Sequence, residues 1–453
     1  MIRRIPLFIL AAGAVLRVAW TGASAIWYDE ANIIHRSTIP FLTLFQETSE
    51  NSGDLLLELI LRPLLAISHS VWILRLPSIL AGLVSLWLVW VLMQKLSFSF
   101  KQQIITAVIV ACLPGLLWIA QDARTYGLLA CLFLVAIYFA IEGRWLGLLA
   151  VCGLMFYTHK VGPAFAFAAI LIADYLHPKE TKKILLVGTG TIVAWIPAII
   201  NMLNRWIVQQ PWQPHLTLSW FGFSTILAFW PMKYTEWFFF IAGLLLIRTL
   251  FFLFHKGKEN GRIIPIVAWV APILVMTAVS SVTKNNIFIY RTVMPILFPF
   301  ALWLGWEMGR QKLPSPSWLL MLVLGMTMWN PADRGGGLDR VADQIRSQWR
   351  TGDQLLYTTV TVGMPFDYYL GDLPHAWDDT VQAEFLNIPT YDRFTLDLPT
   401  GKPLRSWVVI PEDGLITPGE KAALLDLVKH QSPEYTIRYM QAATIDVYLV
   451  EEK

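Results

Sequence analysis

In this 453-residue chain, few ionisable side chains stand at the ends of long apolar runs, and those few are where chemistry must be sought. Trp27-Tyr28-Asp29-Glu30-Ala31 sets two adjacent carboxylates at the end of the first apolar run. Such neighbours repel one another, so they suit a bound cation, or one of them can act as a general base. A solvated helix end is the plainer alternative. Gln121-Asp122-Ala123-Arg124-Thr125-Tyr126 places an acid and a cation in a tight turn between two apolar runs. Simple surface pairing of Asp122 with Arg124 would also explain that turn. Tyr157-Thr158-His159-Lys160 brings an imidazole and an ammonium to a third helix end, and Lys284 and Arg291 flank a fourth. A histidine there can equally be a hydrogen-bonded interface residue. Four charged turns together carry more weight than any one alone.

The elements that must position these residues are membrane helices. Apolar residues make up 56% of the chain and charged residues 15%, against roughly 45–50% and about 25% in soluble domains. Disorder, coiled coil and collagen are excluded by the same figures. The net charge of +3 hides a division. Residues 330–453 carry 11 Lys/Arg and 19 Asp/Glu, a balance of −8, which leaves +11 on residues 1–329. An acidic tail on a basic, apolar body describes a polytopic membrane protein with a soluble appendage, and gives nucleic acid no place as a partner. Cys112, Cys131 and Cys152 all fall in apolar runs, where a buried, inert thiol is expected.

A helix needs about 20 apolar residues to cross a bilayer core. Runs of that kind occupy about 5–27, 71–93, 102–120, 125–141, 145–158, 161–176, 184–202, 236–254, 263–281, 292–309 and 316–329. About eleven transmembrane helices are therefore expected. The first run is too long, and lacks the cleavage site, for a signal peptide. Alternate loops hold 13 Lys/Arg, from Arg3 and Arg4 through Lys182 and Lys258 to Arg310 and Lys312, against Glu142, Glu180 and Glu259. The positive-inside rule then makes the N-terminus cytoplasmic and the tail extracytoplasmic. The Asp29, Asp122, His159 and Arg291 turns share the outer side. Arg17, inside the first helix, should pair with a neighbouring helix, and Arg75 should anchor the start of the second span.

The first outer loop, 27–70, is long and contains apolar stretches at Ile39–Phe45 and Leu55–Leu65, which suit short helices in the membrane interface. A second outer segment, about 203–235, is rich in Trp and Pro, as interfacial belts are. Residues 330–337 read as a flexible linker. In 338–453, Leu338, Ala342, Ile345 and Trp349 recur at helical spacing, and Gln354–Val360 and Ser406–Ile410 read as strands. Thr417-Pro-Gly-Glu420 opens a helix to about Lys429, and Tyr435–Met440 and Ile445–Val450 alternate as a strand pair. The domains are thus 1–329, membrane-embedded, and 338–453, a small α/β domain carrying no phosphate loop and no clustered ligands.

Several of these stretches together resemble a known superfold. Ala14-Val-Leu-Arg-Val18 with Ile26-Trp-Tyr-Asp-Glu-Ala31 looks like the first helix and loop of polyprenyl-phosphate-sugar-dependent glycosyltransferases. This GT-C superfold is shared by protein O-mannosyltransferases and aminoarabinose transferases. Arg75-Leu-Pro-Ser-Ile-Leu-Ala-Gly82 is similar to their second-span signature, and Gln121–Tyr126 to their Gln-Glu-Ala-Arg-x-Tyr turn, with Asp122 in place of Glu. Tyr157-Thr-His159 and Tyr290-Arg-Thr-Val-Met-Pro295 match in order. The likeness covers about 1–310. Where the family has a His-Pro-Pro-type motif, this chain has Asn51-Ser-Gly-Asp-Leu-Leu-Leu-Glu58, and Lys160 stands where an aromatic is common.

The resemblance implies transfer of a sugar from a polyprenyl-phosphate donor to an acceptor hydroxyl on a glycan, lipid or protein, on the outer face and with inversion. Asp29 would be the base, Glu30 its coupled carboxylate, and Asp122 a positioning acid or a partner of Asp29 on a divalent Mg or Mn ion. Arg124 and Arg291 would hold the phosphate through their planar forks, with Lys160 adding a point charge. Tyr126, His159 and Lys284 complete the candidates. Two rivals stand beside this reading: a lipid or solute transporter, and a non-catalytic lipid-binding scaffold. A transporter would be expected to carry broken or polar helices at the membrane midplane, in repeated halves. No internal repeat is visible in the sequence.

Overall fold

The computed structural model describes residues 4–41, 43–44, 54–203, 259–283, 287–310, 337–351, 353–357, 365–366, 368–370, 405–411, 435–442 and 445–452. The expected spans at 236–254 and 316–329, the Trp-rich 203–235 segment, Lys284 and the 417–429 helix lie outside those residues. Two compact units result: Met1–Thr21 with Ile33–Asn330, and Gly22–Asn32 with Pro331–Lys453.

The first unit is helical. Its helices are α1 (Ile5–Ala19), most of α2 (Tyr28–Thr38), α3 (Leu55–Leu65), α4 (Val71–Lys95), α5 (Phe100–Cys112) and α6 (Pro114–Ala120). They continue with α7 (Thr125–Glu142), α8 (Trp145–Thr158), α9 (Gly162–Leu176), α10 (Thr181–Leu203), α11 (Asn260–Thr283) and α12 (Leu297–Arg310). Local chemistry fixes many of the ends. Ser70 caps α4, and Ser99 with Gln102 forms a reciprocal capping box on α5. Gly143 ends α7 at φ 64°, a left-handed conformation that a Cβ would penalise.

Four described helices, and a fifth if a bent pair is counted as one span, are long and apolar enough to cross a membrane, which marks a multi-pass membrane protein. Three of the expected spans are corrected. The 102–120 run is broken into α5 and α6 with a 57° bend, because Pro114 supplies no amide hydrogen and cannot continue α5. The first run, expected at 5–27, ends as a helix at Ala19. The 292–309 run is also interrupted: a single helical turn, Tyr290–Val293, and a 3-10 turn, Met294–Ile296, precede α12. Pro295 stands at that interruption.

Helix α7 is central, packing against α4, α8 and α9; α5 lies against α1 and α12, and α11 against α9 and α12. Their buried faces merge into one apolar core that includes Leu88, Phe133, Phe165, Trp269, Phe298 and Trp303. The three acids of the basic loops are all paired at one end of this bundle. Lys95 meets Glu142 at 2.7 Å, Lys183 meets Glu180 at 2.5 Å, and Arg310 meets Glu259. A half-buried Arg262–Glu307 pair at 2.6 Å joins them. The Asp122, His159 and Arg291 turns belong to the opposite helix ends.

The second unit contains a four-stranded sheet in the order β1 (Gln354–Tyr357), β2 (Arg405–Pro411), β4 (Ile445–Glu452), β3 (Tyr435–Ala442). β1 runs parallel to β2, and the other pairs are antiparallel. Trp407 faces Leu449 and Val409 faces Val447 in register, giving alternate buried residues on one face. Helix α13 (Leu338–Gln348) buries Leu338, Val341, Ala342 and Ile345 in the same core. Its i, i+3, i+4, i+7 stripe is the cause. Trp349, expected on that helix, is its C-cap.

Candidate active site

At the end of the first unit opposite the paired basic loops, a set of wholly buried polar side chains replaces the apolar packing. Arg17 donates from Nη1 to Gly13 O and from Nη2 to Val110 O, both at 2.9 Å. Val110 is the carbonyl four residues before Pro114, so Arg17 supplies the hydrogen bond that the proline removes. The expected pairing of Arg17 with a neighbouring helix is thus a bond to the backbone of α5. A Cβ on Gly13 would stand 2.8 Å from Ala111 Cβ, so the close approach of α1 and α5 depends on that glycine. Arg75 donates to Thr21 O at 2.5 Å and ties the start of α4 to the end of α1.

Those contacts fix the 121–126 turn. Gln121 donates to Leu16 O and Arg17 O at 2.9 and 3.1 Å, satisfying carbonyls that the last turn of α1 leaves open. Ser78 on α4 donates to Arg124 O at 3.2 Å. The turn closes through Arg124 N on Asp122 O at 2.7 Å. The Asp122 carboxylate is buried and accepts from Trp118 Nε1 at 3.3 Å.

Arg124 lies 5.6 Å from the centre of the Tyr126 ring, and Tyr126 lies 5.2 Å from the His159 ring. Lys160 follows His159 in the short connection between α8 and α9. Sequence reasoning chose these four as two separate turns, and the fold brings the turns together. It missed the acid at their centre. Asp54, at the start of α3, is 3% exposed and accepts from Thr125 Oγ1 at 2.9 Å. The sequence signal was available: an aspartate opening an apolar helical stretch in place of the family's His-Pro-Pro-type motif. Behind it, Arg36 on α2 and Glu58 on α3 form a buried ion pair at 3.0 Å.

Charge in this cluster is set by burial. Burial pushes the His159 imidazole down to about 3, against an upward pull from Asp54. The ring is therefore neutral at ordinary pH, and its Nδ1 accepts from Val161 N at 3.2 Å. His159 acts as a hydrogen-bonded ring and not as an imidazolium. Burial also lowers the Lys160 ammonium, Asp54 raises it, and Arg124 lowers it further. The arrangement suits an anionic group that can meet Arg124 and Lys160 together, beside the Asp54 carboxylate that favours the charged lysine.

Arg291 lies in the Tyr290–Val293 turn, its Nε donating to Tyr290 Oη at 2.6 Å. The 3-10 turn that follows packs against α7 and α6. Asp29 and Glu30 fall in the second unit, in the first turn of α2. Glu30 is wholly buried while Asp29 is half-buried, so Asp29 is the more accessible of the two carboxylates. Among the described residues no group of three or more His, Cys, Asp or Glu is placed to hold a metal ion.

No protein-family model and no curated protein matches the chain. Solved structures do. ArnT from Cupriavidus metallidurans bound to undecaprenyl phosphate is similar over 98% of this chain and 97% of that one, with 12% identity and a TM-score of 0.60. The apo state of the same protein matches over the same shares, with 13% identity and a TM-score of 0.62. At such identities the likeness establishes the fold alone: the chain shares the fold of ArnT.

Proposed function

We propose that the protein is a glycosyltransferase that moves a sugar from a polyprenyl-phosphate donor to an acceptor hydroxyl on the extracytoplasmic side of the cell membrane, with inversion. The observation that carries this reading is the cluster of half-buried Arg124 and Lys160 with buried Tyr126, His159 and Asp54 at one end of an apolar bundle. A lipid phosphate has an apolar tail that belongs among the helices and a charged head that needs cations at their end. The fold likeness to an ArnT bound to undecaprenyl phosphate supports the same ligand class.

In this reading Asp29 takes the proton of the acceptor hydroxyl. The hydroxyl oxygen attacks the anomeric carbon, and the bond from that carbon to the phosphate oxygen breaks on the opposite face. The polyprenyl phosphate leaves as an anion. Arg124 offers a two-pronged contact, and Lys160 and Arg291 add charge where it develops. The role of Asp29 rests on this chemistry and on the Trp27–Ala31 motif. Asp122 positions the acceptor. If the reaction used a divalent Mg or Mn ion, Asp29 and Asp122 would be the residues to hold it, and it would supply positive charge at the reacting groups.

Purified protein in lipid discs, given a panel of polyprenyl-phosphate sugars and hydroxyl acceptors, should release free polyprenyl phosphate and glycosylated acceptor in equal amounts. Movement of the intact donor between leaflets without cleavage would replace this reading with the transporter. Tight donor binding with neither reaction would replace it with the scaffold.

A further inference from the structure

We propose that Tyr369 is a positioning residue: the C-terminal unit holds the acid-bearing segment through a hydrogen bond from Ile26 N–H to Tyr369 Oη and through Ala25 in its core. The inference rests on the reading of Asp29 as the base. The Gly22–Trp27 segment forms neither helix nor strand, so its backbone donors need partners from elsewhere. Ile26 is wholly buried, and its amide meets Tyr369 Oη at 2.7 Å across 343 residues of sequence. Ala25, 4% exposed, belongs to the same apolar core as Leu338, Ile345, Phe366, Leu370 and Trp407.

Tyr369 is itself firmly seated. Arg346 Nη2 donates to its carbonyl at 2.6 Å, and the Tyr368 ring lies edge-on at 5.0 Å. Its neighbours Phe366 and Leu370 are fully buried. Helix α2 begins two residues after Ile26, its first turn closed by Ala31 N on Trp27 O at 2.9 Å. A shift at Ile26 is therefore passed directly to Asp29. Residues 331–453 then act on the reaction through the geometry of one carboxylate in the Gly22–Asn32 segment of the same unit.

Tyr369→Phe keeps the ring and removes only the acceptor oxygen. In the full-length protein, amide exchange over residues 22–32 should quicken by about tenfold, the effect of one lost hydrogen bond, while α13, β3 and β4 stay protected. A small displacement of a reacting group can cost up to about 10²-fold in rate, so kcat should fall with the KM for the lipid donor unchanged. Unaltered exchange over 22–32 overturns the proposal whatever the turnover. Faster exchange with wild-type kcat also overturns it, provided that Asp29→Asn is inactive. If Asp29→Asn is itself near normal, the base assignment has failed, and the faster exchange still upholds the tether.

Discussion

Arg17 Nη2 and the carbonyl of Val110, 93 residues apart, meet at 2.9 Å because Pro114 leaves that carbonyl without its helical donor. The pairing predicts a coupled pair of substitutions. Arg17→Met should destabilise the detergent-solubilised protein by about 1–3 kcal/mol, the cost of an unsatisfied buried acceptor. Pro114→Ala restores an amide hydrogen at the right place, so the same Arg17→Met change should cost less in that background. A thermal-melt double-mutant cycle measures the difference. Strict additivity would mean that Arg17 is not serving Val110.

Asp54 faces Lys160, whose ammonium it raises while burial lowers it. Asp54→Asn removes that upward pull, so Lys160 should lose its proton at lower pH. Activity that needs the charged lysine falls as pH rises through its pKa. The basic limb of the kcat/KM profile should therefore move to lower pH in Asp54→Asn, and Thr125→Val should weaken the site more mildly. A basic limb that stays in place would take Lys160 or Asp54 out of the site.

Much of the bundle was legible in the sequence because apolar runs and caps are local. Val71–Lys95 and Thr125–Glu142 lie close to their apolar runs, with Ser70 and Gly143 visible as end signals. Pro114 was equally visible inside the 102–120 run, but the arginine that makes the break tolerable sits on another helix. Asp54 was hidden for a related reason: its partner Thr125 is 71 residues away. The assignment of Gly22–Asn32 to the second unit depends on Ile26 and Tyr369, which no periodicity connects. The charged turns could be found one at a time. Their common end followed from loop alternation, but the contact of Tyr126 with His159 and the burial that keeps His159 neutral arise only from packing.

Arg124 should not tolerate lysine. The guanidinium lies by the Tyr126 ring and presents a planar fork, and an ammonium loses both features. Loss of a charge-assisted contact is worth on the order of 1.5–3 kcal/mol, or about ten- to a hundred-fold. Arg124→Lys should therefore raise the donor KM or lower kcat/KM by that factor. Unchanged donor affinity and turnover in Arg124→Ala would remove it from the phosphate site.

The positive-inside rule predicts that the basic end of the bundle faces the cytoplasm. Gly337→Cys should react with an impermeant thiol reagent in intact cells, while cysteines placed at Lys182 and Lys258 should react only after lysis. The native Cys131 and Cys152 are buried while Cys112, expected to be buried, is half-buried, so labelling is read against the wild-type background. The opposite pattern would put the candidate site on the cytoplasmic side.

The identity of the base decides the mechanism. Glu30 is wholly buried, so Asp29 is the member of the pair that an acceptor can reach more readily. Asp29→Asn is nearly isosteric but cannot take a proton, so the fold and donor binding should survive while turnover falls. General-base assistance is typically worth about 10²–10⁴-fold. Two further arms separate the versions of the reaction. If Asp29 and Asp122 share a divalent ion, chelation should reproduce the loss in the wild-type protein, and added Mg²⁺ or Mn²⁺ should restore it. If the carboxylate acts alone, chelation should leave the wild-type rate unchanged. The metal-free version is the simpler, because Arg124 and Lys160 would supply the positive charge that a leaving phosphate needs. Near-normal turnover by a folded Asp29→Asn protein would defeat both versions and return the Asp29–Glu30 pair to a structural role at the start of α2.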